Sequence, residues 1–187
     1  MSSSTTVYLV RHAEQATGGD GLSALGATQA ALVGRRLAGT PFTGFHHSPA
    51  PRAAETAAII AGTLTSGVQP HPCDLAADRT PVPSPGRRSR YPAHYLPWLD
   101  AVPAEERDED AAALTDAVDR LSRVGDGERH ELVVTHRFVA AWFVRHVLGA
   151  PEWRWLAVDV ANTGLSVVRY QPERPPVLVC SNDTGHL

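Results

Sequence analysis

The sequence lacks the features that mark secreted, membrane-spanning and nucleic-acid-binding proteins. Only two cysteines occur, Cys73 and Cys180, which is too few for a disulfide framework and favours an intracellular protein. No apolar run approaches the roughly 18 residues of a transmembrane helix, so no membrane contact is expected. With 17 basic and 20 acidic residues the net charge is −3, and we therefore expect no nucleic-acid partner.

The beginning of the chain also lacks a targeting signal. Residues 1–6 contain neither the basic nor the apolar region of a signal peptide, and they are predicted to form a short loose tail. Together with the scarcity of cysteine, this predicts a cytoplasmic location.

The apolar content suits a single folded domain. Hydrophobic residues make up 43% of the 187 residues, enough for one domain spanning residues 1–187 with a sizeable core. A segment at about residues 75–103 is rich in proline and arginine and is predicted to be an insertion across one face. Its basic run, residues 87–90, is interpreted as a solvated loop in preference to a substrate-binding patch. The oligomeric state stays open, and Trp153 and Trp155, near a predicted closing strand, are compatible with a dimer interface.

Apolar runs alternate with amphipathic segments along the chain. This alternation predicts an α/β protein, a three-layer α/β/α sandwich around a mostly parallel central sheet. Ser23 is the predicted N-cap of the first helix, and Gly39 is its predicted left-handed C-terminal cap. Strands are predicted at residues 6–10, 42–48, 68–74, 131–135, 155–160, 164–170 and 177–180, and helices at residues 24–38, 49–66, 105–124 and 138–148.

Two of the predicted strands end in a histidine. Arg11 and His12 come directly after the first strand, His136 follows the strand at residues 131–135, and Arg52 lies in the first turn of the second helix. In such sheets ligands bind beyond the carboxyl ends of the strands, so we expect these side chains to meet there. A neutral imidazole is a nucleophile near pH 7 and guanidiniums bind phosphate oxygens through paired donors, so the set suits phosphoryl transfer. A carboxylic acid is still needed to protonate the leaving oxygen.

The other histidines do not indicate a metal site. His46 and His47 are adjacent on a predicted strand and therefore face opposite sides of the sheet, so they cannot easily bind one ion. We expect neither a metal nor another cofactor. The remaining histidines show no ligand-like spacing, namely His71, His94, His130, His146 and His186.

Four blocks of the sequence resemble, in order and spacing, those of the histidine phosphatase superfamily, phosphoglycerate mutase-like branch. The blocks are residues 7–13, 22–30, 48–57 and 133–136. The resemblance implies a phosphoglycerate mutase-like fold and implies that His12 is the nucleophile that becomes phosphohistidine. It also implies that Arg11 and Arg52 bind the phosphate and that His136 is the second histidine of the pocket, with no metal.

Residues 78–83 and 182–186 look most like the mitochondrial members of that family, which dephosphorylate phosphoserine and phosphothreonine in proteins. Those relatives have a glutamate where Asp78 stands, so the resemblance makes Asp78 the candidate general acid, with Asp74 as the competing candidate. An aspartate is one methylene shorter than the glutamate it replaces.

The sequence departs from the family pattern at two further positions. Arg137 follows the second histidine, where it either adds a cation to the pocket or points to solvent. Gly18 stands where the family often has an asparagine, and Gln15 either supplies the lost phosphate hydrogen bond or caps the loop.

The predicted function is a metal-independent phosphomonoesterase that acts on a phosphorylated small molecule or a phosphoprotein. The alternative within the family is a phosphoglycerate mutase-type phosphotransferase, which is disfavoured because the sequence lacks a glutamate-rich substrate segment. The alternative from another class is a non-catalytic module that binds or scaffolds phospho-ligands on the same fold, and Arg137 together with the shortened acid speaks for it.

Overall fold

The computed structural model describes residues 3–187, and a six-stranded sheet runs through its centre. The strands are β1 Ser4–Arg11, β2 Gly44–His47, β3 His71–Pro72, β6 Glu128–Thr135, β7 Leu165–Tyr170 and β8 Val177–Asp183. They lie in the order β3-β2-β6-β1-β7-β8. The first four are parallel, whereas β7 runs antiparallel to β1, and β8 runs antiparallel to β7. A separate pair of parallel strands is formed by β4 Thr80–Val82 and β5 Arg107–Glu109.

Helices cover both faces of the sheet because the buried side chains of its strands alternate between them. On one face, Val10 packs into a core with the helices α1 Ala24–Leu37 and α2 Pro51–Ala61. On the other face, Val7 and Leu9 pack into a core with α4 Ala112–Leu121 and α5 Arg137–Val147. A short helix, α3 Leu96–Asp100, lies in the insertion. The predicted three-layer α/β/α sandwich with a mostly parallel sheet is confirmed.

Strand β1 begins earlier than the sequence predicts. Ser4 and Thr5, expected in a loose tail, are buried and pair with β6 from Ser4 opposite Glu128 onward. Threonine is β-branched and fits a pleated surface, so pairing with neighbouring strands prevails over the polar character of the segment. Met1 and Ser2, the start of that predicted tail, lie outside the described residues.

Of two other predicted strands, one is much shorter than expected and the other is not formed. The strand predicted at residues 68–74 is reduced to His71–Pro72, because Pro70 and Pro72 cannot donate hydrogen bonds to a neighbouring strand. Residues 155–160 do not form a strand: Glu152–Ala157 is a 3-10 helix. The fully buried Trp155 holds that helix against Phe138 of α5, with the ring centroids 4.9 Å apart.

The helix predicted at residues 105–124 starts only at Ala112. Asp110 and Ala111 before it have left-handed backbone angles, with φ of 54° and 56°, which a continuous helix does not allow. The buried carboxylate of Asp108 accepts hydrogen bonds from the N–H groups of Ala113 and Leu114, both at 2.9 Å, and so caps the helix from within β5. The preceding residues are therefore free to form β5.

The insertion at residues 75–103 is folded and is tied to the rest of the protein by ion pairs. It contains β4, 3-10 helices at Pro85–Arg90 and Ala93–Tyr95, and α3. Arg88 makes a double hydrogen bond with Asp100 at 2.6 and 2.8 Å, while Arg87 and Arg90 both reach Glu152. The basic run is thus partly exposed, as the solvated-loop interpretation requires, but each of these arginines is paired.

Helix α1 shows why a glycine stands at position 26. The Ser23 hydroxyl accepts the Gly26 N–H at 2.9 Å, which confirms Ser23 as the N-cap. The Ser23 N–H in turn donates to the Glu14 carbonyl at 3.0 Å, so the first turn lies directly on the loop that follows β1. A methyl group at Gly26 would overlap that carbonyl. Gly39, in contrast, does not adopt the predicted left-handed cap: α1 ends at Leu37, and Ala38 is its C-cap.

We predict that Gly26→Ala lowers the free energy of unfolding by about 1 to 3 kcal/mol, since forcing a methyl group against backbone displaces either the helix or the Glu14 loop. Urea denaturation followed by circular dichroism measures this change. Gly39→Ala is the matched control, because an added methyl group meets nothing within 4 Å there. It should shift the unfolding free energy by less than about 1 kcal/mol, and equal effects of the two substitutions would contradict the explanation.

Candidate active site

The two histidines predicted to form the site come together because β1 and β6 are adjacent and parallel. Arg11, the last residue of β1, lies opposite Thr135, the last residue of β6. The His12 N–H then donates to the Thr135 carbonyl at 2.8 Å, which holds the two chain segments side by side beyond the strands. The rings of His12 and His136 lie with their centroids 5.2 Å apart.

His12 is buried and held in one orientation. Its side chain is bonded through Nδ1 to the carbonyl of Ala13 at 2.8 Å, so Nδ1 carries the proton and Nε2 is unprotonated. Arg52 Nε lies 3.3 Å from that Nε2. Burial lowers the pKa of His12 to about 4, despite the hydrogen bond to Ala13, and the charges of His136, Arg52 and Arg11 add to the effect. The ring is therefore neutral at physiological pH.

His136 forms the other side of the site and is only 2% exposed. Its Nε2 lies 2.7 Å from the hydroxyl of Ser48, and its Nδ1 lies 3.1 Å from Oδ2 of Asp78. The carboxylate can only accept, so Nδ1 carries the proton that faces Asp78. Both ring nitrogens are thus engaged, which fixes the ring against rotation.

Asp78 is the residue that links the two sides. Its Oδ2 accepts from Arg52 Nη2 at 2.9 Å and lies 3.1 Å from His136. Burial raises the pKa of Asp78, but the hydrogen bond from His136 and the charges of His136 and Arg52 outweigh it and lower the pKa below its usual value. Asp78 is therefore a carboxylate in the free protein. Asp74, the competing candidate, is exposed at the start of a 3-10 helix and makes no side-chain hydrogen bond to the described part of the chain.

The two predicted phosphate-binding arginines, Arg11 and Arg52, extend from different elements towards the cluster of His12, His136 and Asp78. Arg52 projects from the first turn of α2, as predicted, and lies between both histidines and Asp78. Arg11 donates from Nη1 to the carbonyl of Val160 at 2.8 Å, while its Nε is buried without a hydrogen-bond partner among the described residues. An unpaired buried donor of this kind is costly unless a ligand accepts from it.

The sequence left two alternatives open for each of Arg137 and Gln15, and the structure shows the position of both side chains. The Arg137 side chain is 46% exposed and pairs at 3.1 Å with Asp159 at the surface, in agreement with the solvent-facing alternative. Gln15 donates from Nε2 to the carbonyl of Gly19 at 2.7 Å, so it caps its own loop. Gly18 has a φ of 77°, which favours glycine at that position of the loop.

Sequence reasoning missed three residues that support the site. Ser48 bonds to His136, Thr56 accepts the Ala13 N–H at 3.0 Å, and Asn162 donates to the His12 carbonyl at 3.0 Å. Ser48 could have been found, because it directly follows β2 just as the two histidines follow their strands. Thr56 and Asn162 carry no such signal, since only the folded chain brings them to residues 12 and 13.

Two kinds of feature are absent from the part of the chain that the structure describes. Residues 3–187 contain no group of three or more His, Cys, Asp or Glu side chains placed to hold a metal ion. His46 instead lies 3.1 Å from Glu131, and His47 donates from Nδ1 to the Ser48 carbonyl at 2.8 Å. Among the helices of the same residues, none has the length and apolar content needed to cross a membrane.

Known proteins match this chain in sequence and in fold. The model of the histidine phosphatase superfamily, branch 1, matches residues 7–184. A curated relative, the mitochondrial serine/threonine-protein phosphatase Pgam5 of Caenorhabditis briggsae, is 27% identical over 191 residues, which cover 100% of this chain. The chain spans 65% of the length of that relative.

Solved structures show the same fold at lower sequence identity. Phosphoglycerate mutase from Bacillus anthracis superposes with a TM-score of 0.73 at 16% identity, over 99% of this chain and 96% of that one. A mycobacterial glucosyl-3-phosphoglycerate phosphatase superposes with a TM-score of 0.72 at 18% identity, over 97% of this chain and 100% of that one. Both confirm the phosphoglycerate mutase-like fold that the resemblance implied.

One expectation is contradicted by these comparisons. The scarcity of cysteine and the lack of a signal peptide predicted a cytoplasmic location, but the curated relatives are mitochondrial by name. The prediction was wrong because composition reports only that disulfides are not used, and this does not distinguish between intracellular compartments.

The assignment to a family is supported by nearly the whole chain. The matching model extends over residues 7–184, which include both strand-end histidines, both arginines of the cluster and Asp78. The fold of two solved members of the same architecture agrees with it. The chain therefore belongs to the histidine phosphatase superfamily, branch 1.

Proposed function

We propose that this chain, acting as one domain over residues 1–187, hydrolyses phosphate monoesters without a metal ion through a phosphohistidine intermediate on His12. The observation that carries the proposal is the state of His12: it is neutral, its Nδ1 is bonded to Ala13, and its unprotonated Nε2 accepts from Arg52 Nε, which a bound phosphate can take over. A buried neutral imidazole oriented in this way is ready to attack phosphorus.

The phosphate-binding role falls to Arg11 and Arg52. A phosphate dianion placed between them would accept from the unpaired Nε of Arg11 and would replace His12 as the partner of Arg52 Nε. His136, with both ring nitrogens engaged, is positioned beside the ring of His12 to stabilise the charge that builds on the transferred group.

In the first step, His12 Nε2 forms a bond to phosphorus while the bond to the ester oxygen breaks. That oxygen takes a proton from Asp78, so Asp78 must enter the reaction protonated. The pKa of Asp78 is lowered in the free protein chiefly by His136 and Arg52, which outweigh burial. A bound phosphate dianion adds a like charge and draws Arg52 away from the carboxylate, and both effects raise the pKa. In the second step the Asp78 carboxylate takes a proton from water, which attacks phosphorus and frees His12.

Hydrolysis is favoured over phosphoryl transfer to a second substrate. The curated relatives are named as serine/threonine-protein phosphatases, which supports a phosphatase with either a phosphoprotein or a phosphorylated small molecule as substrate. The mutase-type alternative is supported only by the fold that this chain shares with the phosphoglycerate mutase from Bacillus anthracis. The scaffold alternative gained weight from Arg137 and from the shortened acid, and the pairing of Arg137 with Asp159 at the surface speaks against the first of these arguments.

We predict that p-nitrophenyl phosphate is hydrolysed in the presence of EDTA and that vanadate inhibits competitively, since no step uses a metal. Acid-sensitive phosphate should be trapped on His12 when turnover is stopped, and mass spectrometry at neutral pH locates it. His12→Ala should show neither turnover nor the adduct. Chelator-sensitive activity, or an adduct on His136, would refute the mechanism.

We predict that Asp78→Asn slows hydrolysis of phosphoserine by about two to four decades but slows p-nitrophenyl phosphate much less. Serine leaves as a basic alkoxide that needs a proton, whereas p-nitrophenolate departs unprotonated. Steady-state kinetics on both substrates measures the contrast. Asp74→Asn is the matched control, since that exposed carboxylate lies outside the cluster, and it should leave both rates unchanged. Equal losses on the two substrates in Asp78→Asn would mean that another group is the acid.

We predict that the ring of His12 stays neutral with the proton on Nδ1 down to about pH 4, because burial disfavours the charged form. Long-range ¹H–¹⁵N NMR distinguishes the two tautomers and the protonated ring, and the signals of His12 are assigned by their loss in His12→Gln. A titration midpoint near 6.5, or a proton on Nε2, would contradict the proposed state of the nucleophile.

A further inference from the structure

A groove with aromatic walls lies next to the proposed phosphate site. It has a volume of about 290 Å³ and is lined by Tyr95, Trp98, Arg137, Phe138 and Leu156. Tyr95 and Trp98 come from the insertion, while Arg137 and Phe138 form the first turn of α5. Because α5 begins directly after His136, the groove starts one residue from the site.

The position of Arg137 connects the groove to the phosphate-binding arginine. Arg137 pairs at 3.1 Å with Asp159, and the carbonyl of the next residue, Val160, accepts from Arg11 at 2.8 Å. A group bonded to a phosphate on Arg11 would therefore enter the groove at its Arg137 end.

The walls of the groove are firmly supported. Trp98 packs edge-on against Phe138 with the ring centroids 5.8 Å apart, and Phe138 packs in the same way on Trp155 at 4.9 Å. Trp155 is fully buried, so the stack stands on the protein core. Trp98 at its outer end is nonetheless 46% exposed, which leaves aromatic surface available for a ligand.

The arginines of the basic run, residues 87–90, are already paired, and the two insertion residues that line the groove, Tyr95 and Trp98, are aromatic. Arg88 is paired with Asp100, and Arg87 and Arg90 are paired with Glu152. The only charged residue among those that line the groove is Arg137, which follows His136 directly in the chain. Recognition in the groove therefore depends on apolar and stacking contacts.

We infer that the groove binds the leaving group of the substrate and that this group is an aromatic or similarly flat apolar part of a small phosphate monoester. The inference rests on the proposed phosphatase function, because it names the substrate class of the same site. About 290 Å³ is at the lower end of the range for small-molecule sites, and it suits one ring system better than a stretch of extended peptide.

The test uses two phosphonates, which cannot be hydrolysed, so it does not depend on turnover. Calorimetry compares naphthylmethylphosphonate with methylphosphonate, and the naphthyl compound should bind at least about tenfold more tightly to the unaltered protein. Trp98→Ala should weaken the naphthyl compound by about tenfold and leave methylphosphonate within about twofold, since only the first contacts the ring. Trp98→Phe should restore part of the loss, and Tyr95→Ala should reproduce the loss without altering the Trp98 stack.

Leu148→Ala is the matched control, because Leu148 is an exposed apolar residue immediately after the far end of α5. It should change neither affinity. Equal binding of the two phosphonates, or an unchanged naphthyl affinity in both Trp98→Ala and Tyr95→Ala, would overturn the inference. So would a phosphoserine peptide with polar neighbours that binds more tightly than the naphthyl compound. Naphthyl selectivity without turnover of any phosphate monoester would support the groove and refute the proposed phosphatase function.

Discussion

The parallel pairing of β1 with β6 is the constraint on which the site depends. It places the ends of both strands at the same edge of the sheet, and the hydrogen bond from His12 to the Thr135 carbonyl carries the register one residue further. Since His136 follows Thr135 directly, the distance between the two rings is set by sheet geometry. The rings then need only to be oriented. A hydrogen bond to the Ala13 carbonyl orients the ring of His12, and one to the Ser48 hydroxyl orients the ring of His136.

Burial and nearby positive charge both lower the pKa of His12, whereas they shift the pKa of Asp78 in opposite directions. Around His12, the loss of water and the nearby cations both disfavour protonation, so the ring stays neutral. At Asp78, burial favours the proton, but His136 and Arg52 favour the carboxylate and prevail. Arg52 thus helps to keep the His12 ring neutral and the Asp78 carboxylate charged, and a ligand that displaces Arg52 changes the balance at both residues.

The insertion shows how local sequence signals were overridden by tertiary contacts. Its prolines and arginines suggested a solvated loop, yet the arginines of its basic run pair with Asp100 and Glu152, and Trp98 packs against Phe138 of α5. Trp155 explains why the strand predicted at residues 155–160 is not formed. An apolar run around a large buried ring satisfies the core equally well as a 3-10 helix, and its period alone does not distinguish the two.

The sequence alone determined the layer architecture and the residues of the cluster. Strand and helix periodicities, together with Arg11, His12, Arg52 and His136 at strand ends and a helix start, are local properties that survive without knowledge of distant contacts. The tertiary structure decided the ionisation of His12 and Asp78 and the outward direction of Arg137. It also decided the support from Thr56 and Asn162 and the groove beside Trp98. These depend on burial and on contacts between residues far apart in the chain, and neither is encoded in a local pattern.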